Sequence, residues 1–142
     1  METIINKNIA MIIESTKVDV NAQPEAIYNF LKDANNLIHL LPKDNVSDFK
    51  ATEAECSFKV QGGVTITLVQ NGGEAPNKLF LKSGEKSPFP FNLTIHIDAV
   101  GDKANGHIVF DGEVNMFLKM MVEKPLTNLF NYMSNKLQTH FA

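Results

Sequence analysis

The chain has 142 residues, 44% of them hydrophobic and 20% charged, which fits one domain spanning 1–142 with a core of its own and argues against disorder. Its formal charge is −3 and its thirteen basic residues are all lysines scattered along the chain, so it offers no basic strip for nucleic acid and no guanidinium fork for a strongly anionic substrate. No apolar run approaches the roughly 18 residues that cross a bilayer, Met1 to Ile13 lacks a cleavable leader pattern, and the single Cys56 cannot form an internal disulfide. A monomeric cytoplasmic protein without membrane insertion is expected.

In chain order, Ile9 to Val20 is rich in β-branched residues and reads as a first strand, with Ile12, Val18 and Val20 on one face and a polar middle from Glu14 to Lys17. Pro24 and Glu25 suit the first turn of a helix, Pro24 to Lys32, with Gln23 as a weak cap. That helix turns Ile27, Phe30 and Leu31 inward. A second short helix from Ala34 to Leu41 offers Leu37, Leu40 and Leu41 before Pro42 stops it.

Strands follow. Val46 to Thr52 is a short, weak candidate, whereas Glu55 to Gln61 sets Cys56, Phe58 and Val60 cleanly against Ser57, Lys59 and Gln61. Val64 to Val69 sets Val64, Ile66 and Leu68 against Thr65 and Thr67. Matching the apolar faces puts Val60 opposite Val64 and Phe58 opposite Ile66, leaving Gln61-Gly62-Gly63 as a hairpin loop, not a phosphate cradle. Asn71 to Asn77 reads as a connection, and Leu79 and Leu81 as the inner face of the next strand.

After a proline-restricted loop from Ser83 to Pro90, the residues Phe91, Leu93, Ile95, Ile97 and Ala99 alternate with Asn92, Thr94, His96 and Asp98. A turn at Gly101 to Ala104 leads to Gly106 to Val114, where Ile108, Phe110 and Val114 share a face. In-phase pairing sets Ile97 opposite Ile108 and Ile95 opposite Phe110, with His96, Asp98, His107 and Asp111 on the outer face.

The last stretch, Met116 to Phe141, repeats Leu118, Met121, Val122, Leu126, Leu129, Met133 and Leu137 at helical spacing, behind Asn115 as N-cap. At 1.5 Å per residue it would be about 39 Å long, enough to cross a small domain. Pro125 predicts a bend rather than an end, since the apolar period continues on both sides.

The order of elements, together with V-x-V-N-A-x-P-E-A-I-Y-N-F-L-x-D from Val18 to Asp33 and F-L-K-M-M-V-E-K-P-L from Phe117 to Leu126, resembles the START-related SRPBCC superfamily of birch-pollen-allergen-like proteins. The resemblance implies an α+β helix-grip fold: a curved antiparallel sheet of about seven strands, two short helices after strand one, and a long C-terminal helix packed across the sheet. It implies little about activity, because the superfamily includes carriers, polyketide cyclases, ring-hydroxylase domains and co-chaperone domains.

A curved sheet cannot touch a straight helix along its whole length, so a cavity between them is expected, and the bend at Pro125 would help set its width. Its expected lining is Phe58, Val60, Ile66, Leu68, Leu79, Leu81, Leu93, Ile95, Ile97, Ile108, Phe110, Leu118, Met121, Val122, Leu129 and Met133, with Leu40 and Phe89 at the entrance. Met121 and Met133 are soft side chains that either adapt to a guest or fill core. The first expectation is therefore binding of an apolar or amphipathic small molecule, a lipid, sterol or polyketide, without covalent chemistry, cofactor or metal. A cyclase- or dehydrase-like enzyme and a co-chaperone-like module with a filled core are the alternatives.

The side chains that carry chemistry support the first reading. His96, Asp98, His107 and Asp111 form an open sheet face lacking the concavity of a zinc site. His39 could be a general base at the cavity mouth, but no orienting partner is evident, and an exposed histidine is the preferred reading. Cys56 shares the inward phase of Phe58 and reads as a buried, unreactive thiol. Glu14 and Thr16 either reach the cavity or lie outside the sheet, the second being preferred.

Overall fold

A computed structural model describes residues 8–62 and 64–142. Met1–Lys7, which carry most of the leader-type reading, and the turn residue Gly63 lie outside that description. The fold is α+β, and the described residues form eight strands in the order β1 (Asn8–Glu14), β2 (Val18–Val20), β3 (Val46–Ala51), β4 (Glu55–Val60), β5 (Val64–Glu74), β6 (Lys78–Ser83), β7 (Phe91–Val100) and β8 (Lys103–Asn115). Two helical turns, α1 (Pro24–Leu31) and the 3₁₀ helix Ala34–Leu40, separate β2 from β3, and α2 (Met116–His140) ends the chain.

All strand pairs are antiparallel, in the spatial order β1-β8-β7-β6-β5-β4-β3, with β2 also pairing β8. The β4–β5 hairpin has the expected register, Val60 opposite Val64 and Phe58 opposite Ile66. The β7–β8 hairpin is displaced by two residues from expectation. A two-residue connection, Gly101-Asp102, lets Val100 pair with Lys103, so Ile95 faces Ile108, Leu93 faces Phe110 and Ile97 faces Gly106. A shift of two keeps every side chain on its expected face while changing its partner.

The first strand departs further. Ile12 is 61% exposed, whereas Met11, Ile13 and Ser15 point inward and Val18 and Val20 follow. The five-residue step from Ile13 to Val18 breaks the alternation, because Ser15–Lys17 interrupts the ladder on β8 and moves the downstream phase by one residue. Strand β5 runs through the expected connection as far as Glu74, its register slipping between Gln70 and Gly73. Gly72 sits at φ +82°, and a Cβ on Gly73 would lie 2.6 Å from the Lys78 carbonyl oxygen, so both glycines serve a bulge within a strand.

Helix α2 is capped by Asn115, whose Oδ1 accepts from the Leu118 N–H at 2.8 Å, and it continues through Pro125. Its buried side is Val122, Leu126, Leu129, Phe130, Met133, Ser134 and Leu137, packed mainly on β1, β8, β2 and the 3₁₀ helix. Phe58, Phe110 and Phe130 are fully buried. The Phe110 ring lies 5.3 Å from Phe130 and 4.8 Å from Phe91. No described helix is long and apolar enough to cross a membrane.

Candidate functional site

Because α2 lies towards the β1–β8 side of the sheet, its middle stands apart from the β4–β5 hairpin. Between them opens a groove of about 490 Å³, lined by Pro42, Asn45, Val46, Val60, Gln61, Gly62, Lys124, Pro125, Asn128, Leu129 and Tyr132. The size falls in the range of small-molecule sites. Val46, Val60, Pro125, Leu129 and Tyr132 supply its apolar surface, and Lys124, Asn45 and Asn128 supply polar groups at its edges.

Two much smaller recesses lie between sheet and helix: one of about 10 Å³ touches Leu31, Leu40, Ile95, Ile108 and Met133, and one of about 20 Å³, continuous with the wall of the groove, touches Val60, Val64, Met121, Val122 and Leu126. Phe58, Ile66, Leu68, Leu79, Leu81, Leu93, Ile97 and Phe110, expected to line a cavity, are buried in the core. Only Val60 and Leu129 of the expected lining border the groove.

Leu40 and Phe89, expected at an entrance, are buried instead, Phe89 within 6.1 Å of the Phe110 ring. Leu118 is half-buried against the core, and Met121 is 51% exposed, outside the buried stripe of α2. The apolar period that placed Met121 inward is shared between two sides of the helix. Met116, Phe117, Met120 and Met121 all face solvent on the first turns. The residues missed at the groove belong to loops, to the first position of the short strand β3 and to the polar flank of α2, where alternation carries little signal; of these, Pro125 alone is marked by the sequence, as the bend that helps set the width of the gap.

The histidines occupy two surfaces. His96 and His107 pair across β7 and β8 with parallel rings 4.6 Å apart on the outer sheet face, while Asp98 faces Asn105 and Asp111 faces Asn92. Burial, the neighbouring His96 charge and Lys17 hold the His107 pKa below its ordinary value, against the opposing pull of Asp98 and Glu14. His39 is exposed, 5.9 Å from the His140 ring and 6.3 Å from Phe30. Among the described residues, no three His, Cys, Asp or Glu side chains converge as metal ligands.

Cys56 is buried, and its thiol is pushed up to about 12, chiefly by burial, with a bond to the Leu68 backbone lowering it and Glu55 raising it. Glu14 and Thr16 are exposed. Between them Ser15 is the inward residue, a polar core contact that the strand pattern did not reveal.

This architecture is the helix-grip fold, and solved structures share it. Norcoclaurine synthase from Thalictrum flavum is 14% identical, with 99% of this chain and 92% of that one covered at a TM-score of 0.68. The same synthase in complex with dopamine and hydroxybenzaldehyde is 15% identical, with coverages of 100% and 95% and a TM-score of 0.63. The KanY protein is 12% identical, with coverages of 94% and 97% and a TM-score of 0.71. At such identities the likeness is one of fold. No protein-family model matches the sequence, and no curated protein does.

Proposed function

We propose that the chain is a START-related SRPBCC protein that binds an apolar or amphipathic small molecule in the groove between α2 and the β4–β5 hairpin, without covalent chemistry. The observation that carries this reading is the groove itself: about 490 Å³ of open space beside a packed core, with apolar walls and a few polar groups at its rim. The synthase solved with dopamine and hydroxybenzaldehyde supports it as a protein of the same fold that holds small aromatic molecules.

Val60 and Leu129 meet the ligand first, with Val46, Pro125 and Tyr132 closing round it. Desolvation drives binding, at about 25 cal/mol per Å² before ordering costs. The test is thermal unfolding of the full chain against fatty acids, sterols and aromatic polyketides, with native mass spectrometry of protein from its own host. A ligand at one hundred times its dissociation constant adds about 2.7 kcal/mol, and Val46→Trp, which fills the groove, abolishes the gain. If no compound shifts unfolding and no mass co-purifies, the reading fails.

A second reading rests on a different observation, the burial of Phe58, Ile66, Leu68, Leu79, Leu81, Leu93, Ile97 and Phe110 in one hydrophobic core. A core this full suits an interaction module, and it is the reading left standing if the ligand screen is negative.

A further inference from the structure

We propose that the outer face of the sheet, opposite the groove, carries a separate site for a small phosphorylated polyol such as a sugar phosphate. A bare sheet face is a poor binder, but here the chain after β6 turns back and converts part of that face into a cleft of about 620 Å³. The turn is fixed to β5 at three points: the Gly84 N–H donates to the Thr67 carbonyl at 3.1 Å, the Thr67 N–H donates to Ser87 Oγ at 2.9 Å, and Ser87 Oγ donates to the Thr67 carbonyl at 3.3 Å.

Gly84 makes this closure possible. A Cβ there would lie 2.5 Å from Thr67 Cγ2 and 3.2 Å from Val69 Cγ2, so only glycine lets the loop rest on the outer-face side chains.

Strand register arranges the chemistry beneath the loop. Lys50 pairs with Ser57 and Ser57 with Thr67, one row across three strands, while Glu55 pairs with Val69 and Val69 with Lys82 in the neighbouring row. Lys86 joins from the loop. Among the described residues none of these three lysines is ion-paired.

Thr67 is only 7% exposed, and its hydroxyl is buried with no hydrogen-bond partner among the described residues, an arrangement that costs stability unless something completes it. Lysines receive a phosphate as point charges without the arginine fork. Two carboxylates, Glu55 and Glu85, line the cleft with the three lysines, and they and Ser57 take hydroxyl groups, so an ester of phosphate with a polyol satisfies both halves where inorganic phosphate satisfies one. The site is independent of the groove.

Titration of isotope-labelled full-length protein with glucose 6-phosphate, inorganic phosphate and glucose, followed by amide NMR shifts, tests this. Glucose 6-phosphate should give saturable shifts at Ser57, Thr67 and Gly84 and bind more tightly than either fragment. Lys50→Glu/Lys82→Glu should weaken it by about tenfold or more, and Thr67→Val by a smaller factor. Absence of saturable shifts in the millimolar range, equal binding of inorganic phosphate, or unchanged affinity in the double lysine variant each overturns the proposal.

Discussion

Ser15 and Ser134 lie 119 positions apart in sequence, and their hydroxyl oxygens meet at 2.6 Å in the core. Ser15 Oγ also accepts from the Ile108 N–H at 2.7 Å, while the Ser15 N–H donates to the Ile108 carbonyl at 2.8 Å. The break between β1 and β2 is thereby tied both to β8 and to α2. Ser134→Ala should cost about 1 kcal/mol, the net value of an ordinary bond. Ser15→Ala should cost about 1–3 kcal/mol, because the buried Ile108 N–H loses its side-chain acceptor. Urea midpoints at unchanged m-value measure both. The double variant should fall short of the summed single effects, since the two side chains share one contact.

That pair also shows where pattern reading stops. Unbroken alternation made the β4–β5 hairpin legible down to its residue pairs, and helical spacing with Asn115 in front made α2 legible from its cap. Ser15 was hidden because a serine on a polar stretch carries no apolar signal, and the slip it anchors inverted the phase of Ile12. The two glycines of β5 read as a loop because a bulge and a turn ask for the same residue. The groove was least legible, since its place depends on where α2 settles on the sheet, and no local period encodes that offset.

Met121 and Met133, which share one apolar period in the sequence, should separate in stability. Met133 is 2% exposed and Met121 51% exposed. Met133→Ala should cost about 2–5 kcal/mol through the lost burial and the space left behind. Met121→Ala should change stability by no more than about 0.5 kcal/mol. Equal losses in chemical denaturation would mean that α2 buries a different side.

Cys56 should be chemically silent in the native protein. Its thiol is covered and pushed up to about 12, chiefly by burial, so almost no thiolate is present at about pH 8. Ellman's reagent should therefore react with native protein at the rate of unfolding, and at once in concentrated urea. Fast native reaction would show that the cleft beneath the Ser83–Pro90 loop reaches the sulfur.

His107 should make part of the stability depend on pH, with a sign that follows from its surroundings. Burial, the His96 charge and Lys17 lower its folded pKa, outweighing Asp98 and Glu14. Above the unfolded value, near 6.5, both states carry a neutral ring and its full contribution is present. As pH falls below that value the unfolded chain takes up the proton first, so stability declines until the folded pKa is passed. His107→Gln should leave a shallower loss of urea midpoint between about pH 7.5 and about pH 5.5 than the parent shows. His96→Gln should also reduce the slope, because it removes a neighbouring charge that holds the His107 value down. A parent protein that gains stability on acidification, with the gain abolished by His107→Gln, would reverse the sign assigned to this ring.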